Sequence, residues 1–133
     1  MKLMIVDDER DVEMLYRQRF RKELREGSLD FVFAFSGEEA LEKIRAISPL
    51  DVMMILSDIN MPGMTGLELL RLVKAEFPSL KVCMITAYND EKNFETAKAY
   101  GADQYLSKPI DFEKLKKELL ALSTQSPFDK PTG

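Results

Sequence analysis

The sequence contains no histidine and only one cysteine among its 133 residues. Without histidine, neither a Ser-His-Asp nor a Cys-His catalytic group can form, and there is no histidine metal ligand or general base. A lone Cys83 can neither close an internal disulfide nor build a zinc site. Because Cys83 lies inside an apolar run, we expect it to be an inert core residue.

Long apolar runs and an excess of basic residues are also missing. The first apolar run, residues 3–6, is far shorter than the region of about 7–15 residues in a signal peptide or the span of about 20 in a membrane helix. The 19 basic and 23 acidic residues give a net charge of −4, which argues against direct nucleic-acid binding. We therefore expect a cytoplasmic chain that contacts neither membrane nor nucleic acid.

Four short apolar runs without polar alternation predict strands that are buried on both faces. The runs are residues 3–6, 31–35, 52–56 and 82–85, and residues 104–107 are a weaker fifth candidate. Amphipathic segments between and after them predict helices at residues 8–26, 38–47, 66–77, 90–100 and 111–122. This alternation predicts a single α/β domain, a (βα)5 parallel sheet with helices on both faces. We expect residues 1–122 to form the domain and residues 123–133 to be a tail or the start of a linker.

Polar side chains follow most of the predicted strands. Asp7 and Asp8 follow the first strand, Asp58 follows the third, Thr86 follows the fourth and Lys108 the fifth. In open α/β sheets, ligands bind at this carboxyl edge, so these groups are expected to converge. Each residue also has an ordinary alternative: Asp8 as a helix cap, Thr86 as a strand end, Lys108 as one of many surface lysines.

The charges of the converging groups indicate a chemistry. Asp7, Asp8 and Asp58 carry three negative charges against the one positive charge of Lys108. Close carboxylates repel each other, and Mg²⁺ relieves that repulsion because it binds oxygen ligands and keeps several waters. A carboxylate beside such an ion can act as a nucleophile toward phosphorus, while Thr86 and Lys108 contact the phosphoryl oxygens.

These residues lie in four stretches that resemble the receiver domain of two-component response regulators. The stretches are residues 5–9 (IVDDE), 56–66 (LSDINMPGMTG), 85–87 (ITA) and 105–109 (YLSKP), and the resemblance extends over residues 2–122. It implies a doubly wound, flavodoxin-like and CheY-like sheet with strand order 2-1-3-4-5. By comparison with the family, we expect the third strand to start later than Val52.

The resemblance also implies roles for the site residues. Asp58 would be the phosphoacceptor and would take its phosphoryl group from the phosphohistidine of a sensor histidine kinase or phosphotransfer protein. Asp8, Asp58 and the backbone carbonyl of Asn60 would bind Mg²⁺ directly, and Asp7 would act mainly through water. The chain would thus be a magnesium-binding phosphoprotein of phosphorelay signal transduction.

The remaining implied roles concern the response to phosphorylation. Thr86 and Lys108 would hold the phosphoryl group, and Tyr105 would be the switch aromatic that turns inward as Thr86 moves. The Lys108-Pro109 peptide is expected to be cis. The face formed by residues 90–100, 104–107 and 111–122 would change and bind an output domain, an output partner or a second copy of the chain.

Two rival functions differ from this interpretation. A Mg²⁺-dependent phosphatase of the haloacid dehalogenase type also uses an aspartate after a buried strand, but it commonly needs an acid two residues later, where this chain has Asn60. A degenerate receiver that serves only as an adaptor would not require Asp7, Asp8, Asp58, Thr86 and Lys108 together. We therefore predict a signalling domain rather than an enzyme, and the sequence fits both a stand-alone receiver and one taken from a longer regulator.

Overall fold

The apolar runs form the strands of one parallel sheet. A computed structural model describes residues 2–47, 51–52, 54–87 and 90–124, with side chains described as far as residue 119. Within these ranges the strands are β1 (Lys2–Val6), β2 (Asp30–Ala34), β3 (Met54–Asp58), β4 (Lys81–Thr86) and β5 (Gln104–Ser107). All neighbouring strands pair in parallel, in the order β2-β1-β3-β4-β5. The predicted fold class and strand order are confirmed.

Helices cover both faces of the sheet. In the described ranges they are α1 (Asp11–Arg19), α2 (Arg21–Glu26), α3 (Gly37–Ala46), α4 (Gly66–Glu76), α5 (Glu91–Ala99) and α6 (Phe112–Thr124). Side chains of α3, α4 and α5 pack on one face, and those of α1, α2 and α6 pack on the other. None of these helices combines the length and the apolar character that crossing a bilayer requires.

Successive residues of each strand enter opposite cores. Leu3 and Ile5 of β1 lie in the core beneath α1 and α6, whereas Met4 and Val6 lie in the core beneath α3 and α4. All four are at most 1% exposed, and full burial of such a side chain contributes about 1.5–3 kcal/mol. Cys83 is likewise buried without a disulfide partner, and burial raises the pKa of its thiol to about 12. The predicted inert role of Cys83 agrees with this environment.

The first helical segment differs from its prediction. The expected single helix over residues 8–26 starts at Asp11 and is divided into α1 and α2 at Phe20. The buried Phe20 side chain anchors the break, where the backbone leaves helical geometry at φ −109° and ψ 24°. Arg10 occupies the N-cap position of α1, and no side chain accepts a capping hydrogen bond from this helix end. The alternative role of Asp8 as a helix cap is therefore wrong.

The third strand and the last helix also have shifted ends. β3 begins at Met54, later than Val52 as expected from the family, where it pairs with Leu3 of β1. It continues to Asp58, which pairs with Ile85 of β4. The last helix continues to Thr124 rather than ending at Leu122. The predicted tail therefore starts later than expected, and its residues 125–133 lie outside the described residues.

Candidate functional site

Three carboxylates meet at the carboxyl edge of the sheet. Asp7 directly follows β1 and Asp58 is the last residue of β3, and these two strands are neighbours, with Val6 opposite Ser57. One oxygen from each of Asp7, Asp8 and Asp58 lies within 4.8 Å of the others. Asp7 and Asp58 are buried, whereas Asp8 is exposed. The structure therefore brings together the three acidic residues that the sequence places at this edge.

The environment of Asp7 shows the electrostatic cost of this arrangement. Burial raises the pKa of Asp7, and the nearby charge of Asp58 raises it further. The backbone N–H of Glu9, which donates to Asp7 Oδ1 over 2.9 Å, and the charge of Lys108 act in the opposite direction. Because the pKa remains raised, the ionised form of Asp7 is disfavoured here, and a bound cation would relieve that cost.

The donor set fits a magnesium ion. Two oxygens bound to one Mg²⁺ at about 2.0–2.1 Å lie at most about 4.2 Å apart. The carboxylate oxygens, within 4.8 Å of one another, reach such an arrangement with small side-chain movements. The exposed Asn60 follows Asp58 by two residues, in the loop that leaves β3. Hard oxygen donors of this kind suit Mg²⁺, which also retains bound waters.

Lys108 forms an ion pair with Asp58. Its Nζ donates to Asp58 Oδ2 over 2.9 Å, and the Asp58 side chain is 7% exposed. Burial alone lowers the pKa of Lys108, but the hydrogen bond to Asp58 and the charges of Asp58, Asp7 and Glu9 outweigh burial and raise it. The Lys108-Pro109 peptide is cis, as predicted. Lys108 therefore holds its positive charge directly on the predicted phosphoacceptor.

Thr86 lies one strand away from Asp58. It is the last residue of β4, it is buried, and its carbonyl oxygen accepts the backbone N–H of Lys108 over 2.8 Å. The N–H of Ile59 donates to the carbonyl of Ile85 over 3.2 Å, which connects the end of β3 to the end of β4. The backbone thus holds Asp58, Thr86 and Lys108 at one edge, as the sequence predicts.

Tyr105 is half-buried in β5 and faces α5. Its ring lies 4.4 Å from that of Phe94, centroid to centroid, and its hydroxyl donates to the Phe94 carbonyl oxygen. Phe94 itself is 41% exposed. Tyr105 is therefore held by a surface contact with α5, the helix that the sequence places beside it, and Phe94 is the contact residue that the sequence did not single out.

Gly66 is a second residue whose role the sequence analysis missed. It is the first residue of α4, and its N–H donates to the carbonyl of Ile59 over 2.8 Å. A Cβ atom at this position would lie 2.0 Å from the backbone oxygen of Asp58, so no side chain fits. The available signal was a glycine at the start of a helix, directly after the capping Thr65, whose hydroxyl accepts from Glu68 N. Gly66 lets α4 pack against the backbone of Asp58.

Comparison with known proteins identifies the family. The family model of the response regulator receiver domain matches residues 3–120. The DNA-binding transcriptional regulator NtrC of Proteus hauseri is 34% identical over 110 residues, which are 83% of this chain and 22% of that protein. The sporulation initiation phosphotransferase F of Bacillus subtilis (strain 168) is 30% identical over 115 residues, which are 86% of this chain and 87% of that protein.

A solved structure shows the same fold. The response regulator protein TrrA of Thermotoga maritima, in complex with Mg²⁺ and BeF, is 30% identical, with a TM-score of 0.73 over 91% of this chain and 97% of that one. Several curated relatives are much longer, and the chain spans 22% to 35% of their length. With the receiver model matching almost its whole length, this chain belongs to the response regulator receiver domains, the phosphorelay signalling domains of two-component systems.

Proposed function

We propose that Asp58 is the phosphoacceptor of this receiver domain. The observation that carries the proposal is the contact between Lys108 Nζ and Asp58 Oδ2, 2.9 Å long, at a carboxylate that also belongs to the acidic cluster of Asp7 and Asp8. A nucleophilic carboxylate needs cations on its oxygens to accept an anionic phosphoryl group without strong repulsion. In this site a lysine and a cluster suited to Mg²⁺ meet on the same aspartate.

The chain's own residues perform the transfer by positioning and charge. An oxygen of Asp58 forms the bond to phosphorus as the P–N bond of the partner's phosphohistidine breaks, and the electron pair of that bond stays on the imidazole. Lys108 and the Thr86 hydroxyl then hold the phosphoryl oxygens. Mg²⁺, bound by Asp8, Asp58 and the Asn60 carbonyl with Asp7 acting through water, would neutralise the carboxylates so that the phosphoryl group can approach.

The proposed response to phosphorylation involves β5 and the helices α5 and α6 beside it. As Thr86 moves toward the phosphoryl group, Tyr105 turns inward and leaves its contact with Phe94. The face formed by α5, β5 and α6 then binds an output domain, an output partner or a second copy of the chain. Receiver domains of this family act with histidine kinases and output domains, and we assign this chain the same role, in the cytoplasm.

The same proposal makes the chain a signalling domain rather than an enzyme. Asn60 offers no acid two residues after Asp58, so the site lacks the group that commonly protonates a phosphatase's leaving group. The receiver would extend to Thr124, where α6 ends, and residues 125–133 would be the tail or the start of a linker.

Labelling with a small phosphodonor tests the proposal. With Mg²⁺, the wild-type chain should gain one phosphoryl group that hydroxylamine removes, as it removes an acyl phosphate. Asp58→Asn keeps the shape of the side chain but weakens the nucleophile, so it should abolish labelling. The matched control is Asp51→Asn, at an exposed aspartate outside the cluster, and it should be labelled like wild type. Full labelling of Asp58→Asn would place the acceptor elsewhere.

A further inference from the structure

A second cation, Arg10, follows the cluster residue Asp8 by two positions. The N–H of Asp7 donates to the carbonyl of Ala34 over 3.1 Å, so the end of β2 lies beside Asp7. Phe35 is the next residue, and the guanidinium carbon of Arg10 lies 4.5 Å from the centre of its ring. Arg10 is therefore held against the residue that follows β2, whereas Lys108 follows β5, and β2 and β5 are the two edge strands of the sheet.

The charge of Arg10 is held in place but not neutralised. The Phe35 ring fixes the guanidinium by a cation–π contact, which leaves the positive charge available to other anions. Arg10 is exposed, and it forms no ion pair with any residue of the described ranges. By contrast, Lys108 is already bound to Asp58. Arg10 is also the only basic residue between Asp7 and Tyr16.

We propose that Arg10 is an anion-attracting residue of the phosphoacceptor site, which draws the phosphoryl oxygens of the donor toward Asp58. The inference rests on the proposed function of Asp58. A donor that carries negative charge must approach three carboxylates, and a fixed cation at their rim raises its local concentration. Arg10 acts on the approach of the donor, whereas Lys108 and Thr86 act on the transfer itself. Such steering is screened by salt, because the cation is exposed.

The reaction that reports this role is transfer from acetyl phosphate. An Asp58 oxygen bonds to phosphorus while the bond between phosphorus and the acetyl oxygen breaks, and acetate leaves with the electron pair of that bond. No oxidant, reductant or additional proton is needed. Acetyl phosphate is a dianion at neutral pH, whereas phosphoramidate carries a smaller net charge. Steering by Arg10 should therefore assist acetyl phosphate more than phosphoramidate.

The experiment measures initial rates of Asp58 labelling with both donors, at low and high salt, for Arg10→Ala, Arg10→Gln and Arg10→Lys. With acetyl phosphate at low salt, the Ala and Gln variants should be about tenfold slower than wild type, the lower end of electrostatic steering. The loss should appear in KM rather than kcat, should largely vanish near 1 M salt, where the screening length is about 3 Å, and should be smaller with phosphoramidate. Arg10→Lys should restore most of the rate.

Arg17→Ala is the matched control. Arg17 also lies over a phenylalanine ring, 5.2 Å from the centroid of Phe33, but it is on α1, further from the cluster in sequence. It should be labelled at the wild-type rate. Equal labelling rates for wild type and Arg10→Gln at low salt would overturn the role of Arg10. A loss of rate that depends on neither salt concentration nor donor charge would overturn it as well. Failure of the proposed function looks different, because wild type itself would then not be labelled at Asp58.

Discussion

The two sides of the functional edge are held by different interactions. On the acceptor side, which comprises Asp7, Asp8, Asp58 and Lys108, Asp7 and Asp58 are buried and a 2.9 Å ion pair joins Asp58 to Lys108. On the response side, which comprises Phe94 and Tyr105, a half-buried ring lies against an exposed one. The acceptor side is thus fixed by strand ends and charge, and the response side by one aromatic contact.

This difference matches a division of work. Catalysis by positioning requires groups that are already in place, and strands β1 and β3 supply that rigidity to Asp7 and Asp58. A switch requires a contact that is easily broken, and an aromatic pair contributes only about 0.5–1.5 kcal/mol beyond the area that it buries. In the proposed response, phosphorylation would therefore need to supply only a modest free energy to shift the response side.

The largest expected effect comes from changing the packing behind Asp58. In Gly66→Ala, the new Cβ would overlap the Asp58 backbone oxygen at 2.0 Å, and we expect a loss of about 3 kcal/mol or more in the free energy of unfolding. Displacement of Asp58 by even about 1 Å should slow labelling by about 100-fold. Urea unfolding and labelling rates measure both effects.

Gly27→Ala is the control for Gly66→Ala. Unlike Gly66, Gly27 adopts a backbone conformation that favours glycine, with φ 74°, and nothing lies within 4 Å of an added Cβ. It should cost about 1–2 kcal/mol through backbone strain alone and leave labelling intact. Equal destabilisation of the two variants would show that α4 does not pack against Asp58 as described.

Removing the cation of the acceptor side should have the next largest effect. Lys108→Met deletes the charge that contacts Asp58, and we expect labelling to slow by roughly 100-fold, since the loss of one stabilising donor in an active site costs about 10²-fold or more. The fraction of Lys108→Met that still becomes phosphorylated should lack the conformational response, because the variant has lost the strongest positive group near the added charge.

Lys81→Met, at a lysine 3.9 Å from Asp103 and away from the site, is the comparison for Lys108→Met. Hydrogen exchange of the two phosphorylated variants measures the conformational response. A wild-type response in Lys108→Met would exclude Lys108 from the switch.

Asp8→Asn should separate metal binding from folding. Asp8 is exposed and caps no helix, so the variant should keep its fold, and its thermal stability without Mg²⁺ should rise or stay level as repulsion with Asp7 and Asp58 falls. Because the loss of a mere supporting contact weakens metal affinity by about 10–100-fold, the loss of a direct charged ligand should weaken Mg²⁺ binding at least as much. Magnesium titrations and melting curves test both, and a clear loss of metal-free stability would indicate a structural role instead.

The smallest effect is expected on the response side. Phe94→Ala removes the ring that Tyr105 contacts, and the lost aromatic pair, about 0.5–1.5 kcal/mol, should speed hydrogen exchange in β5 without phosphorylation. Labelling at Asp58 should change by less than about twofold, since Phe94 lies outside the acceptor side. Tyr100→Ala, at another exposed aromatic residue just after α5, is the control. A labelling defect as large as that of Lys108→Met would contradict the separation of the two sides.

The sequence predicts the acceptor side better than the response side, for a physical reason. Short apolar runs show where buried parallel strands end, and Asp7, Thr86 and Lys108 occupy those ends by position alone. Asp58 is the last residue of its strand rather than part of the following loop, a shift that leaves it at the same edge. Local sequence is sufficient here, because strand order and register bring the ends together.

Contacts that depend on packing between distant elements were not predictable in this way. The break at Phe20, the approach of Gly66 to Asp58 and the contact of Phe94 with Tyr105 each depend on how a helix lies against the sheet. Helical periodicity shows that a helix has an apolar face, but it does not show which atoms that face meets. Arg10 and Phe35, far apart in sequence, meet for the same reason.

Hydrogen exchange with and without beryllofluoride and Mg²⁺ tests the central claim most directly. If Asp58 is the acceptor and the Phe94–Tyr105 contact breaks in response, hydrogen exchange should change in α5, β5 and α6 as well as in the loops of the site. Asp58→Asn, treated in the same way, should show no such change. Changes confined to α1 or α3, with residues 90–119 unaffected, would contradict the account.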